Sequence, residues 1–408
     1  MTLRVDGQFG PMTLPNDGAT VVGLFGFGGS MKDTVRIGIL YSTTGPYAEI
    51  GRDARDGADF AIEEIRAHHG SAIEPVVIDP HADITAYLEG ARSMLRDHGC
   101  RHIVGTITSL ARKEVIPLVE KHDGLLWYMC PYEGFEANDN VIYTGGCPNQ
   151  HLLPLFDYLI PRFGRRPYLV GANYVWGWEM NRLARELIEE AGGEVLGERY
   201  LPLEETAVER IVLDIEQRRP SFILNNFIGP SSYAFLAAIR ALGARDPAFR
   251  PENCPVVSCD LQESELPYIG LGVATGQLCA AAYFDTVATP ENAAFKAQVA
   301  AKFGSQRRIS SVFASAYASV KLCADAIITA GTDDPLAVTR QLSAAPTPTV
   351  LGPLLINPDT RHAALPFHLG RINDEGGFDI IASQPAIAAD PYLTNRRSRM
   401  PSPLRIVS

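Results

Sequence analysis

The sequence predicts an α/β protein built as two doubly wound parallel-sheet lobes, and three observations carry that prediction. Short apolar runs alternate with helical stretches along most of the chain, the order that gives parallel sheets wrapped by helices. The chain has 408 residues, too many for one compact core. A second complete alternating series begins after Cys147-Pro148-Asn149.

The elements follow in order. Residues 35–41 read as the first strand and break at Ser42-Thr43-Thr44-Gly45-Pro46, a turn by composition. A helix is expected over about 48–68, with Ala58, Phe60, Ala61 and Ile65 as its buried stripe. Strand 73–78 and helix 84–97 come next, then a short strand at Ile103-Val104-Gly105. Leu110, Val115, Ile116, Leu118 and Val119 recur at helical spacing over 110–121, and 125–128 (Leu-Leu-Trp-Tyr) is the next strand. The second series predicts helices 152–162, 179–191, 207–217 and 232–242 among strands 167–170, 194–200, 222–226 and 256–259. Beyond it lie a strand at 276–284, helices at 293–303, 311–330 and 336–344, and a strand at 352–356. Strands 364–373 and 377–381 flank a turn at Asp374-Glu375-Gly376-Gly377.

Function is expected at Arg101 to Glu136. Strand, helix and strand there make a βαβ unit, and ligands of open α/β sheets bind beyond the carboxyl ends of such strands. Ser109 stands at that edge, at a helix start whose backbone N–H groups lack intrahelical partners, and Tyr128 and Cys130 end the neighbouring strand.

The same residues carry a resemblance. S-x-x-R-K-x-V-x-P-x-x-E from Ser109 to Glu120, followed by L-L-x-Y-x-x-P-Y-E-G-F-E from Leu125 to Glu136, resembles the short-chain amide and urea subgroup of the type I periplasmic-binding-protein-like family. The likeness runs from Val35 to about Leu393 and is greatest to the amide-sensing negative regulators of aliphatic amidase operons. It implies the type I periplasmic binding protein fold, with the lobes joined by a three-strand hinge. Lobe one would take 34–146 and 279–350, and lobe two 147–278 and 351–393. Residues 1–33 would form a flexible extension and 394–408 a disordered basic tail.

The resemblance also implies site residues. Ser109 would hold a ligand carbonyl, Tyr128 would wall the pocket, and Tyr174 with Trp176 would cover the ligand from lobe two. Ile107 replaces a tyrosine, Cys130 a threonine, Trp176 a second tyrosine and Asp260 a threonine of the regulator. Thr108 and Pro131 complete the expected wall. Each has a plainer reading: Ser109 as a helix cap, Tyr128 as core, Tyr174 and Trp176 as a packing staple, Asp260 as a surface acid. Cys130 with Glu133 and Lys113 could instead form a hydrolase set, but nothing local argues for an activated thiolate.

The implied activity is non-catalytic: closure about a small amide, urea or related solute, as a sensor that regulates amide metabolism. The alternative is the solute-binding component of an ABC transporter for urea, short-chain amides or branched-chain-amino-acid-like ligands. The corresponding partners are an RNA-binding antiterminator or an ABC permease, with a homodimer also open. Net charge of −11 argues against nucleic acid or an anionic membrane as the main partner. Seven cysteines with no C-x-x-C pair, and nine scattered histidines, give neither a disulfide framework nor a metal site. No P-loop or G-x-S-x-G elbow is present, so no cofactor is expected. No stretch reads as a membrane helix, and residues 1–30 lack a signal-peptide pattern. A cytoplasmic place is therefore expected, or a periplasmic one if an export signal is missing.

Overall fold

The computed structural model describes residues 34–395 and the backbone of Arg405–Ile406; the expected extension at 1–33 and most of the expected disordered tail lie outside the described residues. The chain opens with β1 (Val35–Leu40), α1 (Ala48–His69), β2 (Ile73–Ile78), α2 (Ile84–Arg96) and β3 (His102–Gly105). It continues through α3 (Ser109–Lys121), β4 (Leu125–Tyr128) and β5 (Val141–Tyr143). These strands form a wholly parallel sheet in the order β2-β1-β3-β4-β5. All four residues of β3 and of β4 are buried, as expected of central strands covered on both faces.

The second series supplies α4 (Leu152–Phe163), β6 (Tyr168–Ala172), α5 (Val175–Glu190), β7 (Gly197–Leu201), α6 (Glu209–Arg218) and β8 (Ile223–Asn226). After these come α7 (Pro230–Arg245), β9 (Val256–Ser258), the short α8 (Leu266–Ile269) and β10 (Leu278–Ala281). Helices α9 (Pro290–Phe303), α10 (Ser311–Ala330) and α11 (Pro335–Ala344) return to the first lobe, and β11 (Leu365–Ile372) and β12 (Phe378–Ile387) close the fold. The second sheet runs β13-β12-β11-β10-β9-β8-β6-β7, with β13 at Arg405–Ile406. Strands β6 to β10 are parallel and the last three antiparallel.

Four expectations are corrected. Strand β10 belongs to the second sheet, pairing Leu278 with Val257 and Cys279 with Ser258, so the chain returns to lobe one only after Ala281. Its side chains settle the matter: Leu278 and Ala280 pack in one core of that sheet and Cys279 in the other. The strand expected at 352–356 is reduced to isolated bridges, Thr347 to Leu354 and Ile356 to Ala363, and Leu354 and Ile356 pack in the lobe-one core. Within the expected disordered tail, Arg405–Ile406 pairs antiparallel with Ala382 and Ser383. Helix α10 is long and apolar enough to cross a membrane by length and composition, yet most of it is buried against α1 and the lobe-one core.

Candidate ligand-binding cleft

The lobe-one wall is made where β3 gives way to α3. Thr108 is the N-cap, in extended conformation, and its Oγ1 accepts the Ala111 N–H at 3.2 Å. Ser109, expected to be a possible cap, is instead the first helical residue; its N–H and that of Leu110 have no partner within the helix. The Ser109 hydroxyl is already engaged, donating to Glu133 Oε2 at 2.5 Å and accepting from Arg112 at 3.3 Å. Arg112 lies one turn on, fully buried, with Glu133 Oε1 at 3.0 Å and Glu136 Oε1 at 2.8 Å. Its guanidinium stacks 4.5 Å from the Tyr128 ring centre and 4.7 Å from that of Tyr132. Lys113 reaches Glu136 at 2.8 Å, and Tyr143 donates to the same carboxylate at 2.8 Å. Burial alone would raise Glu136, but Arg112 and Lys113 outweigh it and bring the carboxyl down to about 2. The charges beneath this wall are therefore matched.

Tyr128 points its hydroxyl at the Ile107 carbonyl, 2.8 Å away, which ties the end of β4 to the loop before α3. Cys130 follows on the same rim, its thiol facing Met129 Sδ at 3.6 Å. Burial pushes that thiol up to about 12, so it stays protonated and the hydrolase set finds no nucleophile.

The lobe-two wall differs. Tyr174 is extended and precedes α5, which places Trp176 in the first helical turn. Gly177 is required there, because a Cβ would sit 2.1 Å from the Ala172 carbonyl oxygen. The Trp176 indole N–H is buried, lies near Asp260 and makes no full hydrogen bond among the described residues. Asp260, just past β9, accepts the Ser258 hydroxyl at 2.5 Å and forms no ion pair among the described residues. Burial pushes its carboxyl up to about 7, against the lowering effect of Ser258 and of the nearby Trp176 indole.

Ile107, Thr108, Ser109, Tyr128, Cys130 and Pro131 line one cleft from the first lobe, and Tyr174, Trp176 and Asp260 line it from the second. All nine residues singled out in the sequence thus meet at one place. The non-atom space between them, counting its open mouth, is about 460 Å³. Asp260 is the one ionisable carboxyl in this lining. Sequence reasoning missed Tyr47, Ile50, Ile228, Gln262 and Val312, which complete the wall. Tyr47 and Ile50 follow the turn at the carboxyl end of β1, so the strand-end rule could have found them; nothing in the sequence marks Val312.

The lobes touch around the cleft. A Cβ on Gly229, at φ 58°, would meet the Pro46 carbonyl oxygen at 2.0 Å, and Arg182 of α5 lies 4.9 Å over the Phe135 ring. Gln262 Oε1 accepts the Val312 N–H at 3.2 Å across the same gap. Among the described residues no group of three or more His, Cys, Asp or Glu could hold a metal ion.

A family model described as a periplasmic binding protein domain matches residues 35–398. A Brucella abortus protein named Leu/Ile/Val-binding protein homolog 6 is 22% identical over 362 residues, covering 83% of this chain and 88% of that one. A Geobacillus stearothermophilus protein named limonene hydroxylase is 28% identical over only 128 residues, 31% of this chain and 23% of that protein's length. Among solved structures, a solute-binding protein of an ABC transporter from Rhodopseudomonas palustris HaA2, in complex with p-hydroxybenzoic acid, superposes with TM-score 0.77 at 20% identity, over 89% of this chain and 100% of that chain. The branched-chain amino acid transporter substrate-binding protein LivJ from Streptococcus pneumoniae, in complex with isoleucine, gives 0.73 at 16%, over 86% and 99%. At these identities the structural likenesses establish the fold.

Proposed function

This chain belongs to the periplasmic binding protein domain family, and from that premise we propose that it is the solute-binding component of an ABC-type transporter, closing its lobes on one small N–H-bearing solute. The observation that carries the reading is the pairing of unlike walls in one cleft. Free N–H groups at the start of α3 suit a carbonyl or carboxylate oxygen, and the unpaired Asp260 suits an amine or amide N–H. Between them Tyr128, Trp176 and Ile107 offer apolar surface for a short side chain.

A small apolar amino acid fits this pattern, since its ammonium would neutralise the one unmatched charge in the lining. The Brucella relative is named for leucine, isoleucine and valine, and the two solved structures hold p-hydroxybenzoic acid and isoleucine. A second reading keeps the cleft and makes the solute a neutral short-chain amide or urea, as in an amide sensor. It is favoured by the lobe-one wall, whose cations are all engaged with Glu133 and Glu136, leaving only neutral donors for the solute's oxygen. Size separates the two in affinity. Four heavy atoms at roughly −1.5 kcal/mol each at best reach about −6 kcal/mol, tens of micromolar, and an eight-atom amino acid can bind far more tightly.

The transporter reading makes a membrane permease the partner and the periplasm the place of work. It replaces the cytoplasmic expectation, which rested on residues 1–30. The seven free cysteines do not oppose it: burial pushes Cys130, Cys147 and Cys254 up to about 12 and Cys100 to about 11, which keeps them unreactive. Thermal unfolding with alanine, valine, leucine, acetamide, butyramide and urea tests the reading. A ligand at about 100 times its Kd adds about 2.7 kcal/mol, so a binder raises the melting temperature measurably. Amino acids are expected to stabilise more than amides; no stabilisation by any member would overturn the proposal.

A further inference from the structure

Behind the solute cleft lies a second chamber, and three residues line both: Pro131, Gln262 and Val312. Counting its opening, the non-atom space there is about 480 Å³. Its walls are the crossings between the lobes themselves, at Gly145–Gly146, Ala281–Ala282 and Leu365–Pro366. Its surface is largely apolar, with Met129 and Ala280 beside the crossings. His151 adds a polar point: it is buried, its Nε2 meets the Tyr132 carbonyl at 3.1 Å, and its Nδ1 has no partner.

Gln262 is held in place from three sides. Its Nε2 donates to the Asp260 carbonyl at 2.7 Å, its Oε1 accepts the Val312 N–H at 3.2 Å, and its own N–H donates to Glu265 at 2.8 Å. A long polar side chain, buried and bonded at both ends, is a rigid divider rather than a mobile lining group. It is one of the three residues that line both the cleft and the chamber.

We propose that Gln262 is a specificity-determining residue: with Pro131 and Val312 it partitions the solute cleft from the hinge-side chamber and so limits the length of the solute's aliphatic chain. The inference rests on the cleft being the solute site. It implies that a shorter residue at 262 would let an unbranched chain pass between Pro131 and Val312 into the chamber, where the apolar walls and the His151 ring would receive it.

The test is calorimetric titration with straight-chain 2-amino acids (alanine, norvaline, norleucine, 2-aminooctanoate) and straight-chain amides from acetamide to octanamide. Wild type is expected to bind one short member best and to lose at least tenfold in affinity for members two or more carbons longer. Gln262→Ala should move the optimum two or more carbons up the series, and Val312→Ala should move it the same way by less. Circular dichroism checks that both variants fold, and if Gln262→Ala does not, Val312→Ala alone decides. An optimum unmoved in the folded variants, with all members weakened alike, would overturn the partition and leave Gln262 as a tie between lobes. Failure of wild type to bind any member would instead overturn the cleft as the solute site, and the partition with it.

Discussion

On the α3 side of the cleft, buried Arg112 and Glu133, half-buried Glu136 and exposed Lys113 form one group in which every charge has an opposite neighbour. On the β9 side, Asp260 has a serine hydroxyl, a nearby indole and no cation among the described residues. One carboxyl on the first wall, Glu136, is drawn down to about 2, and one on the second, Asp260, is pushed up to about 7. The difference separates framework from contact. Matched charges hold a wall in shape, whereas an unmatched charge facing an open cleft is stabilised only when something arrives to match it.

Breaking the matched wall should cost the most. Arg112→Met leaves Glu133 and Glu136 buried against Lys113 alone, and a loss of about 3–5 kcal/mol in unfolding free energy is expected from urea denaturation. The opposite sign is expected across the cleft. Asp260→Asn removes a desolvated carboxylate and should raise the stability of the solute-free protein at pH 8 by about 1–2 kcal/mol, once water in the open cleft is allowed for. A smaller effect is expected at the helix start itself. Thr108→Ala removes the side-chain acceptor for the Ala111 N–H and should cost about 1 kcal/mol.

The contrast also has a pH signature. Burial pushes Glu263 and Glu265 up to about 8, Asp260 to about 7 and Asp53 to about 6, so from the ordinary carboxyl range upward the folded chain holds protons that the unfolded chain has lost. Stability must then fall as pH rises toward 8. Burial acts the other way on His102, His151, His362 and His368, each lowered to about 4, so between about pH 4 and 6.5 the histidines offset the carboxyls and stability levels off rather than rising further with acid. Glu136, at about 2, adds its loss only in stronger acid. Melting temperature should be highest at about pH 5–6 and decline toward 8.5, less steeply in Asp260→Asn. A rise from pH 7 to 8.5 would contradict this balance.

The sequence made the first lobe legible because its central strands are buried on both faces and its helices carry one apolar stripe; β1 to β4 and α1 to α3 lie close to where those patterns put them. Sheet membership was harder. The apolar run containing β10 fits either lobe, and only its pairing with Val257 and Ser258 decides. The cleft residues were readable because they stand at strand ends and helix starts, where topology leaves backbone groups free. The buried Arg112 was not: a helical arginine flanked by lysine looks like a solvated face until Glu133 and Glu136 fold back onto it. Ser109 illustrates the same limit. Its side chain braces Glu133, so Ser109→Ala perturbs the framework as well as any solute contact, while Asp260→Asn alters chiefly the wall that faces the cleft.

That substitution gives the most direct test of the central claim, that the unmatched carboxylate is there for the solute. The measurement is calorimetric titration, at pH 8, of the solute that most stabilises the wild type against wild type and Asp260→Asn. Loss of a charged hydrogen bond worth about 1.5–3 kcal/mol should weaken binding roughly 10- to 150-fold in the variant, while its fold is intact and no less stable. Equal affinity in the two proteins would contradict the account.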